Sequence, residues 1–392
     1  MTNSINELQN DATAIFLIGT NTTDNHPVIG YKIKSNVRKN GAKLIVADPR
    51  RIDLAEMADV YMQFKPGTDV ALINGMMNVI ISEGLLDKEF IENRTEGFAE
   101  VAKVLEKYTP EYVETITEVP AEDIRKAARL YASAERGSVC YAMGLTQHST
   151  GTDNVKSACN LALLTGNLGK PGTGVNPLRG QNNVQGACDM GALPVTYPAY
   201  QQVTNPDVRE KFEKAWGVKL SPNNGVTQTA AINKAHHGEL KGIIVFGENP
   251  MVSDPDLQHV EEALDNLEFL MVQDIFLTET AQRADVVFPG VSFAEKEGTF
   301  TNTERRVQRV RQAISPRGNA RPDWQILCEL SNRLGYPMNY SSPQDVFEEI
   351  RTVTPSYAGI TYKRLDGKGL HWPCPNEEHP GTPVLQDRKS VV

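Results

Sequence analysis

The chain of 392 residues is 40% hydrophobic and 23% charged, which is typical of a globular protein with two domains, or two with an appendage. It has no run of about 18 apolar residues, so the sequence predicts no membrane-spanning segment. A net charge of -9 and a pI near 5.4 argue against a nucleic-acid partner, because phosphate backbones bind to concentrated basic faces.

Residues 1–12 have neither a basic start nor an apolar core, so no secretion signal is expected and we predict a cytoplasmic location.

The first half of the sequence predicts alternating strands and helices. An apolar run at 14–18 predicts a strand buried on both faces of a parallel sheet. The further predicted elements are a loop at 20–27, a helix at 28–39, a buried strand at 43–47, helices at 68–82 and 121–134, a strand at 138–143, a helix at 153–164 and a glycine-rich loop at 165–174.

The second half opens with a polar stretch at 179–233, predicted to be irregular, and then repeats the same theme. Its predicted elements are a buried strand at 242–247, a helix at 256–265, strands at 269–272 and 285–288 and a helix at 324–334. We therefore predict an α/β fold with two pseudo-symmetric, doubly wound, Rossmann-like domains and mostly parallel sheets. The predicted domains are 1–178 and 179–375, followed by an irregular tail at 376–392.

An internal repeat relates the two halves. The matching positions are Gly19 and Gly247, Asn21 and Asn249, and Asp48 and Asp274, followed at equal spacing by Ala-x-x-Ala-Asp-Val at 55–60 and 281–286. A glycine that ends a first strand lets the backbone approach a ligand closely, and an aspartate that ends the second lies where such folds bind a ribose or base. Alternatively, Gly-x-Asn only forms a turn and the aspartates cap helices. The repeat predicts two nucleotide-like sites, and neither half contains the Gly-x-Gly-x-x-Gly signature of NAD.

The most specific runs lie at 144–148 (GLTQH), 161–169 (LALLTGNLG) and 174–186 (GVNPLRGQNNVQG). Together they resemble the molybdopterin oxidoreductase superfamily, and the last run, continued by 187–191 (ACDMG), resembles formate dehydrogenase catalytic subunits. Runs at 284–289 (ADVVFP), 295–302 (EKEGTFTN) and 305–308 (RRVQ) resemble the superfamily as well. The resemblance covers roughly residues 1–375.

This resemblance implies a cofactor for each half. Enzymes of this family hold one molybdenum or tungsten between two molybdopterin guanine dinucleotides, and each half of the protein binds one dinucleotide. The residues implied for the first dinucleotide are Gly19, Asn21, His26, Asp48, Arg50, Gly144 and Gln147. Those implied for the second are Gly247, Glu248, Asn249, Gln273 and Asp274, while Gly180, Gln181 and Asn182 are implied to lie between the two, near the pterins.

Arg179 matches the active-site arginine of the family. Its planar guanidinium can bind a carboxylate through two hydrogen bonds and stays charged at any working pH, which suits formate as a substrate. The resemblance implies that formate gives two electrons to the metal and that iron–sulfur or NAD-linked electron-transfer domains or subunits accept them. The alternative for Arg179 is a structural ion pair.

The metal ligand of the family has no counterpart in this sequence. The family uses a cysteine or selenocysteine followed by a histidine, whereas the five cysteines here precede Tyr141, Asn160, Asp189, Glu329 and Pro375. They form no Cys-x-x-Cys pair, so we predict reduced thiols and neither a zinc nor an iron–sulfur site. The resemblance places the ligand and an iron–sulfur cluster upstream of Met1. We expect a fragment without the N-terminal and C-terminal parts of the subunit and with little or no activity alone.

Three other functions compatible with these patterns stay open. One is reduction of nitrate or another oxyanion with the same cofactor, although the run at 179–183 favours formate. A second is a non-catalytic scaffold that kept the fold and lost the cofactor, as in the large iron–sulfur subunit of respiratory complex I. The third is a two-domain protein that binds ordinary nucleotides. Molybdenum or tungsten, cysteine or selenocysteine, the electron acceptor and the oligomeric state are not determined by these patterns.

Overall fold

The computed structural model of the chain describes residues 1–386 and contains four β-sheets in that range. The strands are β1 (Ala14–Ile18), β2 (Lys43–Ala47), β3 (Val60–Met62), β4 (Gly137–Tyr141), β5 (Gly174–Pro177), β6 (Thr196–Tyr197), β7 (Gln201–Gln202), β8 (Gly242–Phe246), β9 (Phe269–Asp274), β10 (Val286–Pro289), β11 (Gly298–Thr301), β12 (Arg306–Val310) and β13 (Leu370–His371).

The helices surround these sheets and connect their strands. They are α1 (Ile5–Asn10), α2 (Thr22–Asn25), α3 (Pro27–Asn40), α4 (Asp69–Ser82), α5 (Lys88–Arg94), α6 (Phe98–Leu105), α7 (Pro110–Thr117), α8 (Ala121–Ala132), α9 (Met143–Thr146), α10 (Gly151–Leu164), α11 (Val184–Asp189), α12 (Pro206–Trp216), α13 (Gln228–His236), α14 (Pro250–Ser253), α15 (Leu257–Asp265), α16 (Asp323–Arg333) and α17 (Pro343–Val353). Within residues 1–386, none of these helices combines the length and the apolar character needed to cross a membrane.

The largest sheet has five parallel strands in the order β3-β2-β1-β4-β5. Its central strand β1 is buried along its whole length, because alternate residues pack into two different cores. Phe16 and Ile18 join the cluster under α4, α8 and α10, while Ile15 and Leu17 join the cluster under α1 and α3. The continuous apolar run at 14–18 therefore correctly predicted a strand covered on both faces.

The second sheet is also parallel, with the order β10-β9-β8, which repeats the order β3-β2-β1 of the first. The α/β class with mostly parallel sheets is confirmed. The strand predicted at 242–247 forms as β8, but the prediction that it is buried was wrong, since Ile244 is 51% exposed and Phe246 37% exposed. The reason is that α13 and α15 cover one face of this sheet, where Val245 and Val272 form the core.

The stretch at 179–233, predicted to be irregular, contains the helices α11, α12 and α13. Helix α12 has regular end signals: the Asn205 side chain accepts the amides of Asp207 and Val208, and Gly217 ends the helix with φ 69°. The predicted loop at 20–27 likewise contains the single-turn helix α2. Residues 376–386 contain no helix or strand, and the rest of the predicted tail, 387–392, lies outside the described residues.

A third sheet, formed by β11, β12 and β13, is antiparallel and lies beside α17. Arg305 precedes β12 and is buried, and its guanidinium donates to backbone carbonyls near both ends of the described chain. The accepting carbonyls are those of Met1, Thr2, Trp372, Thr382 and Pro383. This arginine therefore joins the first residues of the chain to its last described segment.

Candidate functional site

The repeated Gly-x-Asn turns have the same geometry in both halves. Gly19 has φ 58° and Gly247 has φ 61°, left-handed values that glycine adopts without strain. The Gly19 amide donates to the carbonyl that ends β2, at 3.2 Å, and the Gly247 amide donates to Gln273 in β9, at 2.9 Å. A single-turn helix, α2 or α14, follows each turn. Both turns thus lie at the carboxyl ends of equivalent strands.

The repeated aspartates make equivalent bonds as well. Asp48 Oδ1 accepts the Arg50 amide at 2.9 Å, and Asp274 Oδ1 accepts the Phe276 amide at 2.9 Å. Each of these aspartates therefore closes a turn with one oxygen, whereas the alternative explanation of the repeat predicted that the aspartates cap helices. The equivalence of the two turns shows that the halves share local geometry beyond their strand order.

The Ala-x-x-Ala-Asp-Val repeat has a structural role. Asp59 Oδ2 accepts the Leu44 amide at 2.9 Å, and Asp285 Oδ2 accepts the Leu270 amide at 2.7 Å. In each half, this carboxylate holds the start of the third strand against the second residue of the second strand. The motif therefore positions the sheet edge in both halves.

A cavity of about 700 Å³ opens at the carboxyl ends of β1, β2 and β4. Its volume is in the range of small-molecule sites. Eight of the predicted residues line it: Gly19, Asn21, His26, Asp48, Arg50, Gly144, Gly180 and Gln181. Thr20, Asp24, Asn25, Pro49, Ala142, Met143 and Leu178 line it too. We call this space the first cavity.

Five buried polar atoms on the turn after β1 and on α2 have no hydrogen-bond partner among residues 1–386. Thr20 Oγ1, Asn21 Oδ1 and His26 Nδ1 belong to residues that line the first cavity, whereas Thr22 Oγ1 and Thr23 Oγ1 belong to residues of α2 outside its lining. Buried polar groups in proteins are nearly always hydrogen-bonded, because an unsatisfied one costs about 1–3 kcal/mol. This concentration of unsatisfied atoms on one turn and helix fits a polar ligand with several donors and acceptors, such as a nucleotide.

Gly19 and Gly144 contact each other across the floor of this cavity. A Cβ atom on Gly19 would lie 2.5 Å from Leu145 N, and one on Gly144 would lie 2.6 Å from Gly19 O. Both glycines are therefore required where the turns after β1 and β4 meet. The sequence predicted that Gly19 lets the backbone approach a ligand closely, whereas the closest neighbours of Gly19 are backbone atoms of the turn after β4.

A second cavity, of about 850 Å³, lies at the carboxyl ends of β8 and β9. All five residues predicted for the second nucleotide line it: Gly247, Glu248, Asn249, Gln273 and Asp274. Phe246, Ile275, Phe276, Thr278, Val291, Ser292, Phe293, Lys296, Asp323 and Leu327 complete the lining. Exposed aromatic rings at Phe276 and Phe293 give this second cavity flat apolar walls, against which a planar ring system can stack.

Two of the predicted side chains in the second cavity already have protein partners. Gln273 is buried and donates to Asp323 at 2.6 Å. Asn249 donates to Glu279 at 2.8 Å and accepts from the Thr280 hydroxyl at 2.7 Å. These bonds fix the turns around the cavity, so the side-chain atoms of these two residues are less available to a ligand than the first-cavity atoms.

Arg179 lies beside the first cavity, although it is not part of its lining. His26 Nε2 bonds the Arg179 carbonyl at 2.9 Å, and the Arg179 amide donates to Thr303 Oγ1 at 3.0 Å. Since a carbonyl only accepts, Nε2 of His26 carries the proton in this bond. One residue of the first cavity is thereby attached directly to the backbone of the predicted active-site arginine.

Three predicted residues lie outside the linings of both cavities within the described chain: Gln147, Arg179 and Asn182. Gln147 follows the single-turn helix α9 and is exposed, and Asn182 is exposed between Gln181 and α11. Their proposed contacts with a cofactor stay predictions.

Sequence reasoning missed several polar residues near the cavities. Asp69, at the start of α4, is 1% exposed, and both of its carboxylate oxygens lack partners in the described chain. Burial raises the pKa of Asp69, as burial also raises the pKa of Asp48.

The threonine run after Gly19 was the sequence signal from which Thr20 and Thr22 could have been predicted. No motif marked Asp323, which bonds both Gln273 and Lys296.

No group of three or more His, Cys, Asp or Glu side chains that could hold a metal ion occurs within residues 1–386. Cys140, Cys159, Cys188, Cys328 and Cys374 are free thiols. Burial raises the pKa of Cys140 to about 12, so this thiol stays protonated and unreactive at neutral pH.

Comparisons with known proteins find relatives both by sequence and by structure. The family model described as Molybdopterin oxidoreductase matches residues 1–333. The F420-dependent formate dehydrogenase subunit alpha of Methanocaldococcus jannaschii is 54% identical over 394 residues, covering 100% of this chain and 58% of that protein. Formate dehydrogenase H of Escherichia coli is 48% identical over 376 residues, covering 95% of this chain and 52% of that protein.

Among solved structures, acetylene hydratase from Pelobacter acetylenicus is similar, with a TM-score of 0.74 and 26% sequence identity. The match covers 94% of this chain and 52% of that chain. The chain thus spans a little more than half the length of these relatives.

Proposed function

Because the chain belongs to the molybdopterin oxidoreductase family, we propose that its two cavities hold the two arms of a bis(molybdopterin guanine dinucleotide) cofactor and that it serves oxidation of formate to carbon dioxide. The observation that carries this proposal is the pair of equivalent cavities, each at the carboxyl end of a Gly-x-Asn strand. Two equivalent sites in one chain match a cofactor with two equivalent dinucleotides.

The residues of the first cavity fit a guanine dinucleotide. The unsatisfied hydroxyl of Thr20, which lines the cavity, can donate to a phosphate oxygen. The Asp48 carboxylate can accept from a ribose hydroxyl or a base amine with the oxygen that does not close its turn. Arg50 lines the same space with a positive charge that offsets phosphate charge.

The second cavity fits the other dinucleotide through different chemistry. Lys296 supplies a positive charge, and the exposed rings of Phe276 and Phe293 supply stacking surfaces. The carboxylates of Glu248 and Asp274 can accept hydrogen bonds from the N1–H and the 2-amino group of a guanine. Gly180 and Gln181 line the first cavity and follow Arg179 in the chain, and we propose that they lie between the two arms, near the pterins.

Arg179 is the proposed substrate-binding residue. Its guanidinium would hold the formate carboxylate and orient the C–H bond, because formate offers no other charged or polar group. The bound metal would supply the two-electron redox chemistry. An iron–sulfur or NAD-linked electron-transfer domain or subunit would then accept the electrons, and a cytoplasmic location would suit such a partner.

Two observations favour this function over its alternatives. A scaffold without cofactor would gain stability by losing the unsatisfied buried atoms at Thr20, Asn21 and His26, yet the chain retains them. A nitrate reductase would share the cofactor, but the relatives of highest identity reported above are named as formate dehydrogenases.

The test is a hybrid subunit, in which this chain replaces the matched 58% of the Methanocaldococcus jannaschii subunit and is produced with the cofactor. We expect reduction of a viologen dye with formate and no nitrate-dependent oxidation of reduced viologen. The reverse pattern of substrates would show an oxyanion reductase. A hybrid that folds and binds no pterin would show a scaffold.

A further inference from the structure

The Arg179 side chain ends in a buried hydrogen-bonded network that the sequence motifs did not indicate. Its Nε donates to Gln185 Oε1 at 2.8 Å, and its Nη1 lies 3.6 Å from Cys188 Sγ. Gln185 is 5% exposed and lies in the first turn of α11. The guanidinium is therefore held at Nε by Gln185 and, more weakly, at Nη1 by the Cys188 sulfur.

The amide of Gln185 can have only one orientation in this network. Its Oε1 accepts from Arg179, so its Nε2 must donate, and it does so to Asp189 Oδ1 at 2.7 Å. Arg179 Nε only donates, so a reversed amide would bring two donors together there, and Asp189 Oδ1 already acts as an acceptor on the other side. Gln185 and Asp189 are four residues apart, on one face of α11.

Asp189 is in turn fixed by two phenols. Tyr200 OH donates to Asp189 Oδ1 at 2.9 Å, and Tyr357 OH donates to Asp189 Oδ2 at 2.6 Å. Asp189 is 1% exposed and Tyr357 2% exposed. Tyr357 also lies 3.2 Å from Thr301 Oγ1, which ends β11. The network therefore reaches from Arg179 into the third sheet.

This arrangement determines which edge of the guanidinium can bind a ligand. A guanidinium offers a carboxylate two paired edges, Nε with Nη2 or Nη1 with Nη2. Gln185 occupies Nε, and Cys188 Sγ accepts from one of the two N–H groups of Nη1. A second N–H remains on Nη1, and no residue in the described part of the chain bonds Nη2. The end edge, formed by Nη1 and Nη2, is thus the paired edge left for a small anion.

We propose that Gln185 and Asp189 are positioning residues, which turn Arg179 so that it binds a carboxylate through its Nη1 and Nη2 end edge. This assignment rests on the proposed function for the identity of the carboxylate, formate, and on geometry alone for the orientation of the arginine. The residues act through Arg179 and touch neither substrate nor cofactor.

The first experiment measures the orientation without catalysis. The 392-residue chain is labelled with ¹⁵N-arginine, and the Arg179 Nε–H signal is identified by its loss in Arg179→Lys. We expect slow hydrogen exchange of this signal in the unaltered chain. Gln185→Met keeps the side-chain volume and removes the acceptor for Arg179 Nε. Hydrogen exchange of the Nε–H should then accelerate about tenfold or more, which is the effect of losing one hydrogen bond to a charged group.

Two further variants separate positioning from general damage. Gln201→Met is the matched control, because Gln201 is half-buried and donates to the Pro198 and Val353 carbonyls, away from Arg179. It should leave the Nε–H exchange unchanged. In the double variant Gln185→Glu with Asp189→Asn, the new carboxylate at position 185 accepts from Arg179, and the new amide at position 189 donates to that carboxylate. This double variant should restore slow exchange.

The second experiment uses the cofactor-loaded hybrid subunit. Gln185→Met should raise the KM for formate about tenfold and change kcat by less than about threefold, because substrate binding is lost before chemistry. Unchanged Nε–H exchange in Gln185→Met, or an equal change in Gln201→Met, overturns the positioning role. Accelerated exchange in a hybrid that does not oxidise formate supports the positioning role and overturns the proposed function instead.

Discussion

Arg179 is the residue on which the proposed chemistry depends most. Its backbone is held on both sides, by His26 at the carbonyl and by Thr303 at the amide, and its Nε by Gln185. A side chain fixed in this way loses little entropy when it binds an anion. The proposed binding of a small carboxylate would therefore require little further ordering of this side chain.

Replacing Arg179 by lysine should impair formate binding although the charge is kept. A lysine offers one ammonium in place of a planar pair of donors, and it lacks the separate Nε–H that donates to Gln185. We expect kcat/KM for formate to fall about 10-fold to 100-fold in the hybrid subunit, the value of one charge-assisted hydrogen bond. Steady-state kinetics at matched metal content measure this fall. Arg38→Lys, at the exposed end of α3, is the control, and an equal fall there would contradict the prediction.

For single residues, the sequence predicted which residues line the cavities better than it predicted the side chains that contact them. All five residues predicted for the second nucleotide line one cavity, because strand-end motifs determine which backbone positions meet. The partners of Arg179 could not be predicted, since Tyr357 comes from a segment 178 residues further along the chain. Asp323 was missed for the same reason: only the tertiary fold brings it to Gln273.

The two Gly-x-Asn turns differ at the level of packing between elements. The turn after β1 packs against the turn after β4, where Gly19 meets Gly144. The turn after β8 has open space around Gly247, since a Cβ atom there would have nothing within 4 Å. The same left-handed backbone thus has a packing constraint in the first half and none at the equivalent position of the second.

This difference gives a matched pair of substitutions. Gly247→Ala should lower the free energy of unfolding by about 1–2 kcal/mol, the cost of a left-handed backbone for a residue with a Cβ atom. Gly19→Ala should lower it by about 3 kcal/mol or more, because a backbone clash adds to that cost. Urea denaturation followed by circular dichroism measures both. Equal losses would show that the contact between the two turns does not constrain Gly19.

The elements that the sequence predicted well are those whose burial is uniform. Strands β1 and β2 lie between two helical layers, so their apolar runs identify them without ambiguity. Strand β8 has an equally apolar sequence, but α13 and α15 cover one face of its sheet, and no local pattern records that coverage. Helix α12 was missed because its charged residues outnumber its buried ones, although Asn205 and Gly217 mark its ends.

At the scale of the whole molecule, Glu304 holds the first helix against the third sheet. Its Oε2 accepts the amide of Ile5, which begins α1, at 2.6 Å, and its Oε1 pairs with Arg306 at 2.8 Å. Burial tends to raise the pKa of Glu304, but His371, the Ile5 amide and Arg306 outweigh burial and lower this pKa far below its ordinary value. The contact is therefore strongest when the carboxyl is ionised.

A depressed pKa in the folded state means that the carboxylate stabilises the fold at pH values above its ordinary pKa of 4.5. That contribution is lost as the pH falls below 4.5 toward the lower folded-state pKa. Glu304→Gln should therefore lower the free energy of unfolding by about 3 kcal/mol at pH 7, and the difference from the unaltered chain should shrink in acid.

Glu83→Gln is the control for this prediction, because Glu83 forms an exposed pair with Arg129. It should cost less than about 1 kcal/mol at pH 7. Urea titrations at pH 7 and at pH values below 4.5 measure both variants. A Glu304→Gln difference that grows in acid would contradict the assigned role of the carboxylate.

The central claim is that one chain holds two guanine dinucleotides, one in each of its equivalent cavities. The most direct test is the molar ratio of guanosine monophosphate, released by acid hydrolysis of the cofactor-loaded hybrid subunit, to its bound metal. We expect two nucleotides for each molybdenum or tungsten atom. A ratio of one or less would show that the two cavities do not both bind a dinucleotide, and the account would be wrong.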